Sequence, residues 1–232
     1  MKEELKTEEY IVAFIDLLGS SKAIHNDPDG TLKTVHNAYS KAIQVYNEVF
    51  EPLSRELKIK IFSDNIIIYT KCNRLGANVA FHITSLLAGI IQINFLNSDL
   101  LSRGGISKGS FFSDDIMIWG EALVDAYNIE SKISIYPRIV VNPKLISELQ
   151  LFRTNKISIN KLIVQDSDYL CFINYLSIAN ALKKNASLGC LKYLERSEDM
   201  KLKHMDDIKA VQKICWHQDF IKKYISALDI KE

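Results

Sequence analysis

Cysteine is sparse in this sequence, and the four present (Cys72, Cys171, Cys190 and Cys215) stand far apart. No C-x-x-C pair and no Cys/His cluster occurs, which argues against a structural zinc site. Neither sign of charge dominates, since 29 basic and 28 acidic side chains leave a formal charge of +1. A dedicated nucleic-acid or anionic-membrane binder carries a long-range positive field, so neither partner is expected. A small anionic ligand needs only local positive charge and stays open. Long apolar runs are missing as well. The longest, Ser85 to Leu96, contains Gln92 and Asn94 and falls short of the roughly 20 residues that span a bilayer. The N-terminal stretch MKEELKTEEY has no apolar signal core. The expectation is a reduced, cytoplasmic protein without membrane insertion.

What is present is the balance of an ordinary globular chain: 232 residues, 47% apolar and 25% charged. A chain of this size buries roughly 70–75% of its unfolded surface and needs no cross-link to hold it. One domain spanning residues 1–232 is expected, with a core at about 8–145 and a C-terminal elaboration at about 146–232. Ile11 to Leu18 is a short apolar run closed by Gly19, which reads as a buried strand. The turn signal HNDPDG follows, then a helical stripe from Thr31 to Leu57. Lys58 to Thr70 reads as a hairpin about Ser63-Asp64. Ala77 to Leu96 is a helix apolar all round, hence buried. Arg103 to Phe112 and Ile116 to Trp119 read as a strand pair, Glu121 to Ile133 as a helix, and Arg138 to Val141 as a strand. A short helix from Pro143, strands at Leu162 to Gln165 and Tyr169 to Asn174, and mostly helical sequence complete the chain. The first half thus reads strand, helix, strand, strand, helix, strand. That is the ferredoxin-like βαββαβ order of an α+β fold, an antiparallel sheet with two helices on one face. The remaining strands and helices are extra C-terminal elements.

Asp16 breaks the pattern, because it sits near the end of an otherwise apolar strand. A buried, unpaired carboxylate costs several kcal/mol or takes up a proton. Asp64 lies at the turn between two apolar strands. In a βαββ unit the end of the first strand lies near the hairpin turn, so the two carboxylates converge at one sheet edge. Oxygen ligands of this kind suit Mg²⁺ or Mn²⁺, which take one or two carboxylates plus phosphate oxygens. A turn aspartate and a capping aspartate are the structural alternatives. Leu17, Leu18, Gly19 and Ser20 follow at once, a short loop whose backbone can approach phosphate closely. Arg103 precedes Gly104-Gly105, and glycines inside a strand mark close backbone approach or a bulge. Arg103 and Arg138 are each read either as a bidentate phosphate ligand or as an outward-facing strand residue. Lys60 points either toward the Asp64 edge or into solvent.

On these residues the chain resembles the class III nucleotidyl cyclases. The motifs are FIDLLGSS with Asp16, KIKIFSDN with Asp64, RGGISKG, and IWGEALVDAYNIES, in the family's order over about Ile11 to Ser131. The resemblance implies a ferredoxin-like core in a head-to-tail homodimer with active sites at the interface. It implies two Mn²⁺ or Mg²⁺ ions per site at Asp16, Leu17 and Asp64. Arg103 falls at a triphosphate-contacting position, and Lys60 at a base-reading one. Met117 stands where adenylate cyclases carry an Asp, and Val124 and Asn128 replace an expected Asn and a transition-state Arg. Arg103 and Arg138 are the candidate replacements for that arginine.

Among members of this family, the compact chain looks most like the bacterial pyrimidine cyclases of Pycsar antiphage defence. That implies conversion of UTP or CTP to 3′,5′-cyclic UMP or cyclic CMP and pyrophosphate, and a separate effector protein sensing the cyclic nucleotide. A purine cyclase, a degenerate nucleotide-binding module and a polymerase-like palm domain are the alternatives.

Overall fold

The computed structural model describes residues 5–150, 162–182 and 186–229; the expected helical ending at residues 230–232 lies outside them. The chain runs β1 (Glu8–Leu18), α1 (Ser20–Asn26), α2 (Pro28–Ser54), β2 (Leu57–Phe62), β3 (Asn65–Lys71), α3 (Cys72–Leu75), α4 (Ala77–Leu96) and β4 (Leu101–Ser113). It continues β5 (Ile118–Trp119), α5 (Glu121–Lys132), β6 (Ile139–Val141), α6 (Pro143–Glu148), β7 (Ile163–Gln165), β8 (Cys171–Ile173), α7 (Tyr175–Ala181), α8 (Ala186–Lys203) and α9 (Ile208–Asp229). The sheet order is β2-β3-β1-β4-β6-β8-β7, with β5 paired to β4. Its first four strands are antiparallel, in the ferredoxin-like order that the sequence suggests. Further along, β6 joins β4 in parallel, while β7 and β8 continue antiparallel.

The alternation along β1 explains how the layers form. Ile11, Ala13, Ile15 and Leu17 face one side and pack with the apolar stripe of α2 (Val35, Ala38, Tyr39, Ala42, Val45) and with α4. Val12 and Phe14 face the other side, where they meet Ala122 and Ala126 of α5. Asp16 is next in that second series. Helix α4 lacks a polar face because it is enclosed, packing against the sheet, α2 and α7. It has the length and composition of a membrane span, but 83% of that window is buried inside the fold.

Two local differences from the sequence reading have simple causes. The stretch after Gly19 is a short helix, α1, rather than only a turn, and α2 begins at Pro28 instead of Thr31. Proline suits a first helical position because its missing N–H has no partner there anyway. The C-terminal elements build a second apolar cluster, in which Ile93 and Leu96 of α4 meet Tyr175, Leu176, Tyr193, Ile221 and Tyr224.

Candidate active site

Register places the first two acidic residues together. Asp16 lies opposite Asn65 on β3 and opposite Arg103 on β4, and Asp64 immediately precedes Asn65 in the hairpin turn. Ser63 adopts φ 54, a left-handed geometry in the position where tight hairpins favour glycine, at a cost of about 1–2 kcal/mol. The Asp64 carboxylate accepts hydrogen bonds from Ser20 Oγ and, at 3.2 Å, from Asn65 Nδ2. The Ser20 bond ties the hairpin to the turn that follows β1.

Burial raises the pKa of Asp16 above the usual carboxylate range; Arg103 opposes that rise and the charge of Asp64 adds to it. Arg103 Nε lies 3.5 Å from Asp16 Oδ2, and its Nη2 lies 2.7 Å from Glu130 Oε1. Glu130, on α5, is buried, and burial pushes its pKa up to about 6, with Arg103 opposing and Asp16 adding. Gly105 lets α5 approach this closely. A Cβ there would stand 2.3 Å from the Ala126 carbonyl oxygen and 2.7 Å from Ile129 Cβ. The reading of these glycines as marks of close approach therefore holds.

The sequence reading missed Glu130, although a signal was present. Ala122, Ala126 and Glu130 recur at intervals of four on α5, so a carboxylate occupies the helix's buried stripe.

Arg138 corrects an expectation. Its side chain is 0% exposed, so it does not replace a phosphate-binding arginine. Nη1 lies 2.6 Å from Asp166 Oδ2 and 3.2 Å from Asp168 Oδ1, and Nη2 pairs with Asp168 Oδ2. The guanidinium also lies 5.4 Å from the ring centres of Tyr136 and Trp216 and 5.7 Å from that of Phe172. Its charge is satisfied by carboxylates and ring faces inside the C-terminal half of the sheet.

Lys60 and Met117 form a separate corner. Lys60 Nζ donates to the Asp114 carbonyl at 3.2 Å, and Asp114 Oδ1 accepts from the Met117 N–H at 2.7 Å. Met117 is half exposed beside Trp119 and Phe112, around a cavity of about 450 Å³. Leu17, Leu18, Gly19 and Ser20 line a different cavity of about 530 Å³, bounded on its far side by α8 and α9. Gly19 (φ +78) makes the turn from β1 into α1, a conformation that side chains disfavour.

A divalent cation fits the chemistry of the Asp16–Asp64 edge. Two carboxylates whose like charges already interact gain from a shared counter-ion. The buried hydroxyl of Tyr39 has no hydrogen-bond partner, and it feels the charges of both aspartates. No group of three or more His, Cys, Asp or Glu side chains suited to a metal occurs among the described residues. A two-carboxylate site suits an ion that takes its other ligands from water or phosphate.

No protein-family model matches the chain, and no curated protein matches its sequence. Solved structures do match. The adenylyl cyclase CyaB from P. aeruginosa superposes with a TM-score of 0.52 at 16% identity, over 63% of this chain and 83% of that one. A guanylyl cyclase gives 0.49 at 11% identity, over 72% of this chain and 91% of that one. The non-canonical dimeric guanylyl cyclase domain of the RhoGC fusion protein from the fungus Blastocladiella emersonii gives 0.46 at 15%, over 62% and 84%. The likeness to the first of these defines the architecture: the chain has the mixed α and β fold of a nucleotidyl cyclase domain.

Proposed function

We propose that the protein is a nucleotidyl cyclase, in which the ribose 3′-hydroxyl of a nucleoside triphosphate attacks its own α-phosphorus and pyrophosphate leaves. The observation carrying this reading is the meeting of Asp16 and Asp64 at one edge of a cyclase-type sheet, with the cross-strand register keeping them there. The two carboxylates, with Leu17 beside them, would hold Mg²⁺ or Mn²⁺, two ions per site. Bound, such ions supply acidity to the 3′-hydroxyl and neutralise phosphate charge. Arg103 and Glu130 act on Asp16 as positioning residues, because the single guanidinium lies between both carboxylates. Leu17 to Ser20 form the wall along which the phosphates lie. Arg138 has no part in the reaction.

The active form is a homodimer built head to tail, which brings one protomer's Lys60–Met117 corner to the partner's aspartates. Exposed Ile61, Phe62, Ile116, Trp119, Val124 and Tyr127 supply the apolar surface such an interface needs. The substrate is UTP or CTP and the product cyclic UMP or cyclic CMP, a messenger for a separate effector in antiphage defence. Met117 supports the pyrimidine choice, since an apolar side chain stands at the base-reading corner. A purine substrate is the second reading, favoured by Lys60 at that same corner.

The test incubates the full chain with each of the four ribonucleoside triphosphates and Mn²⁺ and separates the products. A cyclic pyrimidine is expected, and a cyclic purine selects the second reading. Asp16→Ala and Asp64→Ala should each lower turnover more than a hundredfold, about 3 kcal/mol of transition-state stabilisation, with thermal unfolding intact. Near-normal turnover in either folded variant refutes the assignment.

A further inference from the structure

The 530 Å³ cavity beyond the Leu17–Ser20 turn has no assigned occupant. Gly19 and Ser20 form one wall, Val35 of α2 and Leu101 of β4 its floor, and Met200 of α8 and Lys213 of α9 the opposite wall. The rest of the lining mixes apolar side chains with Lys22, Asp99, His204 and Asp207. Lys213 is half-buried, and its ammonium makes no ion pair or hydrogen bond among the described residues. Four charged groups act on it: Arg103 and Lys209 repel it, while Asp207 and Asp16 attract it. Burial and Arg103 are the largest influences, and both disfavour the charged form. The ammonium is therefore drawn partly out of water within the field of Arg103, and the acids that attract it, Asp207 and Asp16, do not bond to it. Such an arrangement is costly unless an anion completes it.

We propose that Lys213 is a ligand for the phosphate tail of the nucleotide, and that the α8–α9 hairpin forms the outer wall of the substrate pocket. This rests on the cyclase reading, which brings a polyanion to the Asp16 end of β1. The cavity opens on the turn that follows Asp16, so a tail leaving the carboxylate edge along Leu17 to Ser20 runs toward Lys213. Arg138 is sequestered and Arg103 is engaged by Asp16 and Glu130. Lys213 is thus a cation near this edge that is still free to receive phosphate oxygens. It arrives from a helix outside the ferredoxin-like core.

The test uses the full chain and non-reacting α,β-methylene triphosphates beside the corresponding monophosphate, with Mn²⁺. Lys213→Gln and Lys213→Met should each weaken triphosphate binding at least tenfold and leave monophosphate binding within twofold. Lys213→Arg should recover most of the loss. A readout that needs no variant is protection of Lys213 from acetylation by inorganic pyrophosphate, followed by mass spectrometry. Protection of at least fivefold is expected. Wild-type triphosphate binding in a folded Lys213→Gln protein, or no protection by pyrophosphate, overturns the proposal. If Asp16→Ala abolishes turnover while Lys213→Gln is silent, the cyclase reading stands and this inference falls. If no triphosphate is cyclised but the Lys213 dependence of triphosphate binding holds, the reverse is true.

Discussion

Two arginines, each beside two carboxylates, lie in or next to the sheet, and their surroundings differ. Arg138, immediately before β6, is sealed from solvent, bonded to Asp166 and Asp168 and surrounded by Tyr136, Phe172 and Trp216. Arg103 on β4 keeps about a fifth of its side-chain surface exposed and shares its charge between Asp16 and Glu130, with Asp64 beyond. In the first nest the guanidinium itself is wholly enclosed, with both Nη atoms bonded to carboxylates and aromatic rings around it. In the second, the guanidinium lies partly open between Asp16 and Glu130, and the charge of Asp64 also acts on Asp16. The same residue types make a closed structural staple when the cation is enclosed and a partly open charged edge when it is not.

The comparison breaks most visibly through Arg138. Arg138→Ala leaves Asp166 and Asp168 without their cation, so a loss of about 3–5 kcal/mol is expected. Urea denaturation measures it, and a variant with wild-type stability would show that the nest is not structural.

Acid sharpens the contrast next, through His217. It is buried, bonded through Nε2 to the Tyr175 hydroxyl and stacked beside Trp216. Burial depresses its pKa from 6.5 to about 3. Between those values the unfolded chain binds a proton that the folded chain refuses. The stabilisation from neutral His217 is therefore complete above pH 6.5 and is lost as pH falls toward 3. It is on the order of 4 kcal/mol. Urea unfolding as a function of pH should show this slope in the wild type, and His217→Phe should flatten it.

A smaller effect is expected at Gly105, beneath the Arg103 edge. Gly105→Ala drives a methyl group into the Ala126 carbonyl and Ile129, at about 1–3 kcal/mol of overpacking. Since α5 carries Glu130, turnover should fall as well as the unfolding temperature. A variant that loses stability but keeps full turnover would show that Glu130 need not stay beside Arg103.

Much of this was legible in the residues. Asp16 stood out as the one acid in an apolar strand, the hairpin pattern placed Asp64 at its turn, and the βαββ order brought the two together. Helix α4 was recognisable to the residue because a segment with apolar residues on every face and no charged side chain runs from Ala77 to Leu96 and ends at Asn97. Glu130 needed one step more, from an apolar stripe to the single acid interrupting it. Arg138 was not legible. YPRIVV does not announce partners 28 and 30 residues later in sequence, and neither arginine's local segment distinguishes burial from exposure.

Sequence by itself thus determined the elements, their order, and the pair of aspartates at one sheet edge. The elements follow from periodicity and short-range turn chemistry, which act within a dozen residues, and the aspartate pair follows from the strand order those elements imply. The tertiary structure alone decided which arginine is locked away, that α5 lowers a third carboxylate onto the edge, and that α9 carries Lys213 to the cavity beside it. Each of those outcomes is a charge–charge or packing contact between segments far apart in the chain, and the energy of such a contact depends on burial that only the assembled layers create.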